Sequence, residues 1–151
     1  MDDAEDTMRS QVESVLSEVA LPPGVTIRGW TESDFIAIQR LSSAEGWPTP
    51  QDRTTEAVAA WRGSWPALVA THGAQVIGFL RALTDDMVTT YVCEVLVVPA
   101  WRDRGIGRAL IEACHHLCPS TRLDLLSGGT ADGFYEANGF RRFQGFRKSY
   151  R

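Results

Sequence analysis

The segment that most constrains this chain runs from Val88 to Leu117. Val88 to Val98 is a long run rich in β-branched residues that stops at Pro99, and it reads as a strand. Gly105 and Gly107 follow, and Ile106, Leu110, Ala113, Cys114 and Leu117 then recur at three- and four-residue spacing, the apolar face of a helix. A strand that turns on two glycines directly into an amphipathic helix must pack that helix against its sheet. The first turn of such a helix leaves backbone N–H groups without partners and carries the positive end of the macrodipole. Glycines allow a bulky anion close to that backbone. Arg102, Arg104 and Arg108 raise the local positive potential further. The unit predicts a site for a phosphate or pyrophosphate.

The rest of the chain supplies one layered domain around that unit. Met8, Val12, Val15, Leu16 and Val19 predict a short amphipathic helix over residues 7–20, ended by Pro22-Pro23-Gly24. Residues 1–24 read as an acidic tail with an extra helix, and 25–151 as the main domain. Val25 to Gly29 is a short strand. Thr31-Glu32-Ser33-Asp34 has capping-box spacing, with Asp in place of the usual Glu, ahead of a helix to about Ala44. A second helix follows over Thr54 to Trp61. Ala67 to Thr71 and Gln75 to Leu83 form a hairpin about His72-Gly73. After the central unit come a strand over Leu123 to Leu126, a helix over Ala131 to Ala137, and one or two closing strands over Phe140 to Tyr150. The order is that of a mixed α/β fold with one sheet flanked by helices.

Composition removes some classes of function. With 44% hydrophobic and 23% charged residues among 151, the chain is suited neither to disorder nor to the membrane, and no apolar run approaches the ~18 residues of a span. The formal charge of −4 is uneven. Residues 1–20 hold six acids and one base, and the remainder thirteen acids and fourteen bases. Fourteen of the fifteen cations are arginines, whose planar fork suits phosphate, and three of these lie between Arg102 and Arg108. A nucleic-acid surface would rest on Arg141, Arg142, Arg147, Lys148 and Arg151, which read as a solvated strand face. No nucleic-acid or membrane partner is expected. Cys93, Cys114 and Cys118 have no framework spacing and fit a reducing cytoplasm. Cys114-His115-His116-Leu117-Cys118 is not a metal cluster, since both cysteines fall on the apolar helix face. The acidic N-terminus lacks the features of a secretory signal.

Arg102-Asp103-Arg104-Gly105-Ile106-Gly107 fits neither the P-loop nor the dinucleotide fingerprint. It is an Arg-x-x-Gly-x-Gly turn, preceded by Val-x-Pro and followed by Ala-Leu-Ile. Downstream, Ala131-Asp132-Gly133-Phe134-Tyr135-Glu136-Ala137-Asn138-Gly139-Phe140 has an Ala-x-x-x-Tyr-x-x-x-Gly-Phe pattern. With these elements, and with Ile27-Arg28 and Gln75-Val76-Ile77-Gly78-Phe79, the chain resembles the GCN5-related N-acetyltransferase (GNAT) family from about Val25 to Tyr150. The resemblance implies a mostly antiparallel sheet splayed between its fourth and fifth strands. It also implies acetyl-CoA as co-substrate without a metal, a primary amine of a small molecule, peptide or protein as acceptor, and direct transfer in a ternary complex. A homodimer is a family-level expectation. The family's Asn seven residues before the Tyr is replaced by Gly128, so one contact to the pantetheine arm is missing.

Carried onto this sequence, the resemblance gives the cofactor to the backbone of Val97 and Val98, to the turn Arg102, Arg104, Gly105, Ile106, Gly107 and Arg108, and to Phe134. Tyr135 is the general-acid candidate for the leaving thiolate, or else only packs beside Phe134 and Phe140. Glu94 is the general-base candidate. It is the only charged residue between Val88 and Val98, and shares a face with Leu96 and Val98 unless a bulge intervenes. Its other readings are a structural pair with an arginine or a binder of a cationic substrate. Asp85 and Asp86 attract a cation or simply make a turn. Trp47, Trp61 and Trp65 line the acceptor side or belong to the core. The rival function is a non-catalytic acyl-CoA-binding or sensing module, which keeps the turn and lacks a working base.

Overall fold

The computed structural model describes residues 19–150, together with Thr7, Ser10 and residues 12–14. After β1 (Val25–Gly29) the chain forms a 3-10 turn (Glu32–Asp34) and three helices, α1 (Phe35–Ala44), α2 (Thr49–Asp52) and α3 (Thr54–Arg62). Then come β2 (Ala67–His72), β3 (Gln75–Thr84), β4 (Thr89–Val97), α4 (Ile106–Leu117), β5 (Arg122–Leu125) and α5 (Asp132–Ala137). The five strands lie in the order β1-β2-β3-β4-β5. The first three pairings are antiparallel and β4–β5 is parallel. This is the mixed, mostly antiparallel sheet that the resemblance implied.

Each face of the sheet buries its own core. On one side Val25, Ile27, Leu68, Ala70, Leu80, Ala82 and Val92 meet Ile106, Ala109, Leu110, Ala113 and Cys114 of α4. On the other, Val69, Val76, Phe79 and Leu96 meet Phe35 and Ile38 of α1 and Ala57 and Trp61 of α3. Alternation along the strands sorts the residues between the two cores. Arg28 forks onto Asp34 with two bonds of 2.8 Å, and Asp34 also accepts the Thr31 N–H at 2.8 Å, so the Asp does the work of the capping-box Glu. Burial alone would raise the Asp34 pKa, but the bonds from Arg28 and Thr31 outweigh it and hold the carboxyl below its usual range.

Of the helix expected over residues 7–20, Thr7, Ser10 and residues 12–14 are helical, and Val12 and Val19 are buried on the α4 side. Met8, Val15 and Leu16 lie outside the described residues. The closing strands expected over Phe140–Tyr150 are not formed. The aromatic spacing explains this: Phe143 falls out of phase with Phe140, Phe146 and Tyr150, so an extended segment has no single apolar face to bury. Arg142 is instead drawn to Glu136 at 2.6 Å and Asp132 at 3.3 Å, and Phe143, Phe146 and Tyr150 are exposed. No helix among the described residues is long and apolar enough to cross a membrane.

Candidate active site

Two irregularities in β4 build the site. In its ladder with β3, Arg81 pairs with Glu94 while the next residue, Ala82, pairs with Val92. Cys93 is therefore an extra residue, a β-bulge. The bulge reverses the faces beyond it. Val92 points to the α4 core, whereas Leu96, four residues on, points to the α1–α3 core. Glu94, two residues before Leu96, takes that second face. The second irregularity is a parting of strands. Pairing of β4 with β5 ends at Val92 with Leu125, while β4 continues to Val97 with no strand partner on its β5 side. The bulge sits where the two strands separate, consistent with its tendency to bend a strand.

At the open end, the Val98 N–H donates to the Ile77 carbonyl of β3 at 2.9 Å. Alternation turns the N–H and C=O of Val97 to the opposite edge, where β5 has already ended. The Val97 carbonyl accepts from Arg102 Nε at 2.9 Å, and the Arg102 guanidinium also pairs with Glu45 in the loop after α1. Arg102 thus ties the end of β4 to the α1 side of the sheet and does not project freely toward a ligand. The Val98 N–H, expected to face a ligand, serves β3 instead.

A tight approach fixes this end of β4. A Cβ on Gly78 would lie 2.7 Å from the Leu96 carbonyl oxygen, so any side chain there forces β3 and β4 apart. Gly78→Val is expected to cost about 1–3 kcal/mol through overpacking. The thermal midpoint should fall by roughly 2–12 °C for a domain of this size, and an unchanged midpoint would contradict the close approach.

The turn into α4 has the geometry its glycines suggested. A 3-10 turn (Pro99–Trp101) leads to Asp103 at φ +62° and Gly105 at φ +81°, both left-handed. Gly105 is the N-cap of α4, with no side-chain cap and no acidic residue in the first turn. The first helical bond runs from the Ala109 N–H to the Gly105 carbonyl, leaving the N–H groups of Ile106, Gly107 and Arg108 without backbone acceptors. Ile106 buries its side chain in the α4 core. Gly107 is needed for room, since a Cβ there would lie 3.0 Å from Phe134 Cζ and 3.7 Å from Val97 Cγ2. Phe134 on α5 therefore closes over the first turn of α4. The Arg104 guanidinium lies 4.8 Å from the Trp101 ring centre. Arg108 Nε pairs with Glu112 at 2.9 Å along the exposed helix face.

Tyr135 is half-buried beside Phe134 and Phe140, with ring centres 5.2 and 5.5 Å away, both edge-on. Its hydroxyl makes no hydrogen bond to the described residues, and burial raises its pKa above that of an ordinary phenol. Glu94 Oε2 accepts from Arg81 Nε at 3.1 Å. Arg81 had no signal in the sequence, because its pairing with Glu94 depends on the register that the bulge creates. Asp85 is a turn carboxylate: it accepts the N–H groups of Val88, Thr89 and Met87, which hold its pKa low. Trp61 is core, packed between a tilted Trp30 ring and an edge-on Phe79 ring, while Trp47 is partly exposed. The three cysteines are free, and burial pushes the Cys114 thiol up to about 12, so it stays a neutral apolar group.

Comparison with known proteins agrees with this geometry. Residues 64–142, just over half of the chain, match the family model of the acetyltransferase (GNAT) domain. A candidate acetyltransferase from Deinococcus radiodurans R1 is 25% identical and superposes with a TM-score of 0.68 over 85% of this chain and 90% of that one. A GNAT family protein from Streptococcus pneumoniae TIGR4 is 21% identical, with a TM-score of 0.67 over 84% and 97% of the two chains. An acetyltransferase from Trypanosoma brucei is also 21% identical, with a TM-score of 0.67 over 83% and 98%. No curated protein sequence matches. Glycine turn, parted strands and family match converge, and the chain belongs to the GNAT acetyltransferase family.

Proposed function

We propose that the protein transfers the acetyl group of acetyl-CoA directly to a primary amine, with both substrates bound at once. The observation that carries this reading is the uncapped first turn of α4 beside the open edge of β4. Three N–H groups and a helix dipole there suit a pyrophosphate, and Gly105, where a Cβ would meet nothing within 4 Å, leaves the close approach such a ligand needs. The Val97 N–H, on the side that β5 has left, suits a carbonyl of an amide-bearing arm laid along the strand edge, while the Val97 carbonyl is held by Arg102. Arg104 and Arg108 are the cations best able to reach phosphate, because exposed pairs such as Arg108–Glu112 contribute only about 0.3–0.5 kcal/mol and are readily exchanged.

Bound acetyl-CoA supplies the acetyl group as a thioester. Glu94 accepts a proton from the attacking amine, directly or through water. Tyr135 gives its proton to the departing thiolate. Its raised pKa keeps that proton in place through neutral pH. A thiol with a pKa of about 8.5 is already a fair leaving group, so this proton contributes at the low end of general acid catalysis. Tyr135→Phe should lower kcat by about 100-fold or less while the calorimetric affinity for acetyl-CoA stays within about twofold. Wild-type turnover in this variant would remove Tyr135 from the mechanism.

The rival reading, a module that binds acyl-CoA without transferring it, draws on one observation: Glu94 is already paired with Arg81. In that reading the carboxylate serves only to pair Arg81. Release of free CoA in the presence of amines separates the two readings.

A further inference from the structure

Arg81 is the only charged residue on β3 and Glu94 the only one on β4, and the two face each other directly in the ladder. Side chains on two otherwise apolar and neutral strands have no structural need of a charge pair. Replacing buried ion pairs with apolar residues is often neutral or stabilising, so the pair is poorly explained as a stability device. The pair is also held from behind. Arg81 Nη1 donates to Ser64 Oγ at 3.2 Å, and Ser64 Oγ donates to the Ala60 carbonyl near the end of α3 at 2.6 Å. The chain Ala60–Ser64–Arg81–Glu94 thus runs from α3 across β3 to the bulged strand. It holds one carboxylate oxygen, Oε2, while Oε1 has no partner among the described residues. The guanidinium and carboxylate side chains are only 19% and 25% exposed, so solvent competes weakly for either.

We propose that Arg81, braced by Ser64, is a positioning residue that fixes the Glu94 carboxylate so that Oε1 takes the amine proton; this rests on the acetyl-transfer reading above. The amine N–H proton passes to Oε1 as the nitrogen lone pair forms the bond to the acetyl carbon. Arg81 stays protonated and gives up no proton. A planar guanidinium that donates through Nε and Nη1 to two different groups has little rotational freedom, which a lysine at the same position could not match. Misplacing a reacting group by about 1 Å can cost on the order of 100-fold in rate.

The test is a double-mutant cycle with the full-length protein, acetyl-CoA and any amine it turns over. Arg81→Met, Arg81→Lys and Ser64→Ala are each made alone and in Glu94→Gln, with kcat, the KM for acetyl-CoA and the thermal midpoint measured. Arg81→Met should lower kcat by about 10- to 100-fold with KM for acetyl-CoA within about twofold. In the Glu94→Gln background the same change should lower kcat by no more than about twofold, because its route of action is gone. Arg81→Lys should recover part of the loss. Ser64→Ala, which leaves the ion pair itself intact, should show a smaller loss confined to the Glu94 background. That variant decides the matter if Arg81→Met does not fold. Equal losses in both backgrounds, or wild-type kcat in both Arg81→Met and Ser64→Ala, would overturn the positioning role. Wild-type kcat in Glu94→Gln alone would instead remove the base assignment on which it rests.

Discussion

Gly107→Glu is expected to abolish acetyl-CoA binding while leaving the fold in place. The new Cβ would press on Phe134, whose ring edge lies 3.0 Å from that position. Phe134 is partly exposed, so the ring can move aside. The carboxylate would then occupy the first turn of α4, beside the N–H groups assigned to pyrophosphate. An acidic side chain at a helix N-terminus ordinarily stabilises the helix by about 0.3–1 kcal/mol, which offsets part of the crowding. The same charge repels an incoming phosphate and holds the donors it needs. A loss of at least 100-fold in affinity is expected, equivalent to about 2.8 kcal/mol or more. Gly107→Ala is the graded control: it adds the crowding without the charge and should weaken binding only a few-fold. Calorimetry showing undiminished affinity in Gly107→Glu would overturn the assignment of the turn.

Glu94→Gln carries the second large effect. It preserves side-chain volume and a carbonyl oxygen for Arg81, but it removes the proton acceptor. General-base catalysis contributes about 100- to 10,000-fold, so kcat should fall within that range. Affinity for acetyl-CoA should stay within about twofold, since Glu94 lies on the α1–α3 face and the phosphate-type donors belong to α4. A wild-type kcat would return Glu94 to a structural pair and favour the binding module. Loss of acetyl-CoA affinity together with kcat would place the residue in binding and not in proton transfer.

Much of this was legible in the sequence because the relevant signals are local. The period of Ile106, Leu110, Ala113 and Cys114 specified α4 and its buried face, and all four are buried. The two glycines specified a turn, and Gly105 has the positive φ that justifies it. Glu94 drew notice as the lone charge in an apolar strand. What stayed hidden was non-local. The bulge at Cys93 follows from how β4 meets β3, and nothing in the residues around Cys93 announces it. Arg81 became Glu94's partner only through that register. Arg102, the first residue of the Arg-x-x-Gly-x-Gly turn, is taken by the Val97 carbonyl and by Glu45, far away in sequence. The C-terminal aromatics misled because hydrophobic residues near the end of a chain read as a strand even when their spacing offers no common face. No motif of the sequence marks an amine acceptor, so the identity of the amine has no local signature.

The central claim is that a bound thioester gives up its acetyl group to an amine at the parting of β4 and β5. The most direct measurement is the release of free CoA from acetyl-CoA by the full chain across a panel of amines, with mass spectrometry of the amine. An acetylated amine formed in step with thiol, and lost in Gly107→Glu, is the predicted result. Tight acetyl-CoA binding with no amine-dependent thiol release across the panel would contradict it.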